Sequence, residues 1–426
     1  MAPCHGPALP KSRLARVSPR DPTLLSQPSP HFGQDATHSP LARLRLTFAL
    51  IFFAALCVPL ALRWTKVLHE LPLVGVEDPP AVQPFTLAGF LSGKWQKGFE
   101  AEFTHELGLR PTFVRTDNQI SLSVFGELKP PRVLGKGDYI FDKGYHPQVG
   151  WHFGEAIELA PLAQRLKALK DELGKLGVVL LVELSPHKSR FLADFVPDVW
   201  RPYLEGPRKP ERGDLLRLGL TTLEVPIADF HLRFEQLRDT AKAPLFTQGG
   251  VHWSHYGAAL ACKEIVAYLG VLCGKPFPIL HVDEVKSIPM PLGTDRDLAD
   301  LANVWTQSRF WGKPVEPVVR VELPDGAIKP RILFVGTSFV WNLTDLLLEH
   351  KICSELEFWY YANTRVRFPG AAPSVPDERS PIDLAKLDFK AELQRFDAVV
   401  LEVCIPFAHQ VGFGFSEAAL AGLNAK

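Results

Sequence analysis

The sequence predicts an α/β protein, a doubly wound parallel sheet preceded by one transmembrane helix. Three observations predict it. First, continuous apolar runs too short for helices read as strands covered on both faces: "VVLLVEL" (178–184), "RILFV" (331–335), "LEFWYYA" (356–362) and "DAVVLEV" (397–403). Second, helical patterns lie between them. Leu159, Leu162, Leu166, Leu169, Leu173 and Leu176 alternate spacings of three and four, and Gly177 closes the stripe. Third, "LTFALIFFAALCVPLAL" (46–62) runs 17 residues without a charge. At about 1.5 Å per residue it just reaches across a bilayer core.

From the N-terminus, residues 1–45 are Pro- and Ser-rich, mildly basic and without hydrophobic period, and are expected to be a disordered tail. Residues 46–63 form the anchor. Lys11, Arg13, Arg16, Arg20, Arg43 and Arg45 precede it, whereas Glu70, Glu77 and Asp78 follow Arg63 and Lys66. The positive side is the N-terminal side, so the tail is expected in the cytoplasm and the remainder beyond a bacterial inner membrane, in the periplasm. "VPLALRW" is a poor cleavage site and Leu56 a poor neighbour for a lipoprotein Cys57, which favours an uncleaved anchor. Residues 64–94 read as a Pro-rich linker, and 95–426 as the globular α/β domain.

Charge is balanced, 47 basic against 47 acidic residues, which leaves no bulk electrostatic case for a nucleic-acid partner. The six cysteines show no metal-ligand spacing. Cys262 and Cys273, flanking the end of one expected helix, are either bridged or free buried thiols. With no P-loop, GxGxxG or HExxH in the chain, neither cofactor nor metal is expected.

Two segments carry chemistry. In "RILFVGTSFVWNL" a buried strand passes through Gly336-Thr337-Ser338 into a helix. That geometry exposes the Ser338 hydroxyl at the C-terminal edge of a sheet and aims helix N–H groups at a developing oxyanion. A plain helix start with Thr337 or Ser338 as cap is the competing reading. In "LFTQGGVHWSHYGA" (245–258), His252 lies just ahead of a helix that Ser254 could cap, where the helix dipole favours the neutral imidazole a general base needs. His255, in the first turn, is expected to face solvent. A serine and a histidine so placed are the two essential parts of a serine acyl-transfer site.

"GVHWSHYGA" followed some 80 residues later by "ILFVGTSF" resembles the alginate O-acetyltransferase AlgX/AlgJ family, which carries an SGNH-hydrolase-like domain. In that family the histidine motif precedes the serine motif, as it does here. "FGELKPPRVLGKGDYIFDKGY" (125–145) is similar to the family's opening strand, "LVELSPHKSRF" (181–191) to a strand and loop that follow it, and "DAVVLEVCIPFAHQVGFGF" (397–415) to its closing strand. The resemblance covers about residues 95–415. It implies an SGNH-hydrolase-like fold and O-acetylation of an exopolysaccharide or related glycan. The acetyl group would come from a membrane-bound O-acyltransferase partner. By the same resemblance Ser338 takes the acetyl group and His252 moves its proton. The Gly336, Thr337 and Ser338 turn supplies oxyanion donors, with Asn303 a further candidate. A glycan esterase on the same Ser/His pair and a catalytically inactive glycan-binding scaffold are the alternatives.

The chain departs from the family at one position: Gly250 stands where the family has the aspartate that orients the histidine. The acid must then come from elsewhere. Asp295, Asp297 and Asp300 in "GTDRDLADLAN" (293–303), with Glu183 and Glu402 near strand ends, are candidates, and Asp297 is the choice. Trp253, Trp305, Trp311, Tyr360 and Tyr361 are aromatic residues that could stack on sugar rings, and glycan contact is expected of Trp253 and Tyr361.

Overall fold

The structure, a computed structural model, describes residues 40–65, 67–149, 159–205, 210–371 and 377–424. The chain divides into two units, Met1–Val67 and Leu68–Lys426. In the first, α1 (Pro40–Thr65) is a 26-residue helix with mean hydropathy 2.2 and no buried residue. It fits a single-pass membrane anchor and extends the expected 46–63 at both ends. The expected disordered tail falls mostly outside the described residues.

The second unit starts earlier than the expected boundary at residue 95. Residues 70–72 are not a free linker, because polar side chains of the second unit hold them. Arg115 donates to the carbonyls of Leu71 and Pro72, both at 2.8 Å. The Thr112 N–H and hydroxyl both donate to Glu70. Helices α2 (Leu87–Leu91), α3 (Lys94–His105) and α4 (Arg110–Ile120) follow. The segment expected as an opening strand is a short antiparallel hairpin, β1 (Arg132–Leu134) and β2 (Ile140–Asp142).

From there helices and strands alternate as expected. The leucine stripe forms α5 (Ala160–Lys175), burying Leu162, Leu166, Leu169 and Leu173. After it come β3 (Val179–Ser185), α6 (Lys188–Phe191), α7 (Arg212–Thr222), β4 (Ile227–Asp229) and α8 (Phe230–Leu237). Helix α9 (His255–Cys273) is capped by Ser254, whose Oγ accepts the Gly257 N–H at 2.9 Å. It is apolar enough to cross a membrane, but half of it is buried in the core. Strands β5 (Ile279–Ser287) and β6 (Val315–Glu322) form a separate antiparallel ribbon, with α10 (Asp297–Leu301) between them in sequence. Next are β7 (Arg331–Gly336), α11 (Val340–Glu349), β8 (Glu355–Tyr360), β9 (Thr364–Arg367) and β10 (Glu378–Pro381), then α12 (Phe389–Leu393), β11 (Ala398–Cys404) and α13 (Phe415–Asn424).

The main sheet has seven strands in the order β10-β9-β8-β7-β11-β3-β4. Five of them, β8 to β4 in that order, are parallel; β9 and β10 extend one edge antiparallel. Alternation along the strands fills two cores. Leu181, Phe334 and Val400 pack on one face with residues of α8, α9 and α11. Leu180, Leu333 and Val399 pack on the other with residues of α5, α7 and α13. The sheet is therefore doubly wound, and β3, β11 and β7 lie side by side at its centre. Their C-terminal ends form the edge where such folds place their sites. Cys262 and Cys273 are free thiols. They sit eleven residues apart on α9 itself, about 16 Å along the axis at 1.5 Å per residue, so no bridge can join them.

Candidate active site

Ser338 follows β7 by one residue and precedes α11 by one, half-buried at the sheet edge. His252 reaches it from the loop before α9, with Nε2 2.7 Å from Ser338 Oγ. On the other side of the ring, His252 Nδ1 lies 2.6 Å from Asp297 Oδ2. Asp297 Oδ1 accepts the Val251 N–H at 2.8 Å, which fixes the carboxylate's orientation. A carboxylate only accepts, so Nδ1 carries the proton and donates. Nε2 is then the acceptor for the Ser338 hydroxyl. The imidazole is largely shielded from water and packs edge-on to Phe339 at 4.8 Å.

The three aspartates of "GTDRDLADLAN" take separate partners. Asp297 takes His252. Asp295 accepts the His255 N–H at 2.9 Å and pairs with its ring at 3.1 Å, so His255 does not face solvent as expected. Asp300 pairs with Arg296 at 3.4 Å. Gly250 also has a steric reason. A Cβ there would lie 2.5 Å from the Thr294 carbonyl and 2.8 Å from Thr247 Oγ1. The segment carrying Asp297 occupies the space that a side chain at 250 would need.

Other expected contacts are corrected. Asn303 is not an oxyanion donor: its side chain takes the Val74 N–H and donates to the Val74 carbonyl, each at 3.0 Å, holding the N-terminal segment in place. Thr337 cannot offer its N–H to an oxyanion, because that group donates to Glu402 Oε2 at 2.5 Å. The Ser338 N–H has no acceptor among the described residues and is the free donor of the turn. Trp253 is fully buried among Phe230, Phe234 and Phe339, leaving no surface for a sugar. Tyr361 stays 38% exposed beside the turn, its N–H donating to the Gly336 carbonyl at 2.8 Å. Burial pushes its phenol up to about 12. Trp305 lies by α4, its indole N–H donating to Thr116. Trp311 lines a cavity of about 330 Å³ with Tyr139, Phe246, Gln248, Ser254 and Asp295, on the segments flanking the His252 loop.

Sequence reasoning missed Lys188. It is fully buried and donates to the carbonyls of Ile140 (2.8 Å), Gln248 (3.2 Å) and Gly250, tying the β1–β2 hairpin to the segment that leads to His252. Burial pulls its ammonium down to about 7, against the charge of Asp297. A lysine in an otherwise buried "SPHKSRF" turn was the signal available. Glu183 and Glu402, weighed as orienting acids, do not bond to His252; they lie side by side in register on β3 and β11.

A central parallel sheet with serine, histidine and aspartate hydrogen-bonded in line at its C-terminal edge defines an SGNH-hydrolase-like α/β domain. The comparisons with known proteins name the branch. A family model described as the SGNH hydrolase-like domain of acetyltransferase AlgX matches residues 135–351, about half of the chain, and the chain belongs to that family. Among curated proteins, a probable alginate O-acetylase AlgJ of Pseudomonas syringae pv. tomato is 22% identical over 191 residues, 44% of this chain and 46% of that protein. The match thus spans under half of that relative. Among solved structures, the O-acetyltransferase domain of Pseudomonas putida AlgJ is 16% identical with a TM-score of 0.40, covering 66% of this chain and 92% of that one. Pseudomonas aeruginosa AlgX is 14% identical with a TM-score of 0.39, covering 68% and 67%.

Proposed function

We propose that this chain is an O-acetyltransferase that carries an acetyl group on Ser338 to a hydroxyl of an exopolysaccharide or related glycan. The observation that supports it is the unbroken hydrogen-bonded line from Asp297 through His252 to Ser338, 2.6 and 2.7 Å long at its two joints. Ser338 Oγ attacks the acetyl carbonyl carbon while its proton passes to His252 Nε2. The Ser338 N–H faces the oxyanion of the tetrahedral intermediate. Its collapse breaks the bond to the leaving group, which takes the proton from Nε2, and acetyl-Ser338 remains. A glycan hydroxyl then gives its proton to Nε2 and attacks the acetyl carbon; Ser338 Oγ leaves and recovers the proton. Asp297 holds the ring and stabilises the imidazolium that forms in each half.

The N-terminal apolar helix and its basic flank support a reading with the tail in the cytoplasm and the catalytic unit in the periplasm. A membrane-bound O-acyltransferase is the donor in this reading. The name of the Pseudomonas syringae relative makes alginate the first acceptor to try. The Asp297 carboxylate, 2.6 Å from His252 Nδ1, supports the catalytic reading over an inactive scaffold. Esterase chemistry differs only in water replacing the sugar.

The test uses the full chain in detergent with a chromogenic acetyl ester, with and without an oligosaccharide acceptor, and intact-mass detection of acetyl-Ser338. Adduct and turnover that vanish in Ser338→Ala and His252→Ala, with acetylated oligosaccharide as product, are expected. Adduct with acetate as the sole product in the presence of acceptor would make the protein an esterase. No Ser338-dependent adduct would remove the enzyme reading.

A further inference from the structure

Beneath the nucleophile turn lies a pair of acids that the mechanism above does not use. Glu402 on β11 and Glu183 on β3 are directly paired across parallel strands, and both are wholly buried. Alternation puts both side chains on the face shared with Val400 and Leu181, the face covered by α9 and α11. Glu402 Oε2 accepts two hydrogen bonds from the residue before the nucleophile, the Thr337 N–H at 2.5 Å and its hydroxyl at 2.8 Å. The chain is shaped around this contact. A Cβ on Gly336 would lie 2.6 Å from Glu402 Oε2 and 2.7 Å from its Cβ, so only glycine lets the strand end approach the acid.

We infer that Glu402 is a positioning residue for this site: it anchors the Thr337–Ser338 turn from below, leaving the Ser338 N–H as the free donor, and faces His252 with a negative charge. This rests on the acyl-transfer reading of Ser338 and His252. Two buried carboxyls this close cannot both ionise, so the pair holds a proton at neutral pH. The charge belongs on Glu402. Burial raises its carboxyl above the usual range, but less far than that of Glu183, because the Thr337 N–H and hydroxyl and the charge of His252 favour its ionised form. Glu183 is pushed well above the carboxylate range by burial and then by Glu402, with the Ser185 hydroxyl at 3.1 Å and the charge of Asp229 as its other neighbours. Among the described residues, the other titratable groups that feel Glu402 are Tyr145, Tyr361 and Cys404, all held neutral, chiefly by burial. His252, which becomes a cation only when it takes the Ser338 proton, is the group whose charge acts on Glu402.

Glu402→Gln keeps the shape and an acceptor for the Thr337 N–H, and removes the charge. In the full-length protein, kcat for acetyl-ester turnover should fall about tenfold with KM within about twofold. The acid limb of the kcat/KM profile should move to lower pH by about half a unit or more, because imidazolium loses a stabilising charge. Glu183→Gln replaces a carboxyl that is already neutral and should move the limb less. A Glu402→Gln enzyme with wild-type kcat and an unmoved limb, or a larger limb shift from Glu183→Gln, would overturn the inference, whatever happens to the melting temperature. If wild type itself forms no Ser338-dependent adduct, the acyl-transfer reading fails first and this one falls with it.

Discussion

Replacing Asp297 by asparagine tests the site most sharply, because the structure dictates which way the amide will turn. Asp297 faces two donors, the Val251 N–H at 2.8 Å and the His252 Nδ1–H at 2.6 Å. An amide has one acceptor oxygen. The Val251 N–H is a fixed backbone donor, so the oxygen of the substituted amide must stay on it and the NH2 group must face Nδ1. Nδ1 then has to accept, and the ring shifts its proton to Nε2, which can no longer take one from Ser338. Loss of the correct tautomer in a serine site costs on the order of 10³–10⁴ in rate, about 4–5.5 kcal/mol of barrier at about 1.36 kcal/mol per decade. Serine or histidine removal should cost more, down to the residual rate that binding and the oxyanion donor sustain. The assay is acetyl-ester turnover as a function of substrate concentration across about pH 5–9, with the acetyl-Ser338 mass as a second readout. Asp297→Asn within about tenfold of wild type, alongside an inactive Ser338→Ala, would show that Asp297 does not set the tautomer and would refute the reasoning.

Two further predictions concern position 250 and stability. Gly250→Asp supplies the aspartate that the sequence resemblance leads one to expect there, but drives a Cβ to 2.5 Å from the Thr294 carbonyl. It should lower stability by about 1–3 kcal/mol in chemical denaturation and fail to rescue Asp297→Asn; a rescued double variant would show that the two acids are interchangeable. Asp397 lies where β11 begins, bonded to Lys275 at 2.7 Å and to the Arg331 N–H at 2.8 Å. Burial would raise its carboxyl, but hydrogen bonds from Arg331 and Lys275 and the charge of Arg331 outweigh it and hold the group at about 2. Folding thus depresses it below the unfolded value near about 3.9, so its contribution is complete above about pH 4 and is lost as the pH falls toward about 2. Asp397→Asn should cost about 1–2 kcal/mol at about pH 7 after solvent screening and flatten the acid side of the stability curve. An unchanged curve would sink that account.

Much of the architecture follows from the chain itself. Apolar runs of strand length, a three-four leucine stripe and an uncharged N-terminal span are local patterns, and each became the element that its period demands. The strand–turn–helix around Ser338 and the capped helix after His252 were legible for the same reason, since caps and tight turns are written within a few residues. Partner identity was not. Asp295, Asp297 and Asp300 share one polar stretch, and only the packing of that stretch against the Gly249-Gly250 backbone decides which carboxylate meets His252. Asn303 has the polarity of a site residue and stands near the aspartates; its side chain turns instead to Val74, 229 residues away in sequence. Trp253 sits next to His252 in sequence, yet consecutive residues there point to opposite sides of the loop, one to the site and one to the core. The pairing of Glu183 with Glu402 required the register of two strands more than two hundred residues apart. Sequence determined which elements form and which residue types stand at their ends. Tertiary structure decided which side chains meet, because a hydrogen bond is settled by ångströms between distant segments that no local period encodes.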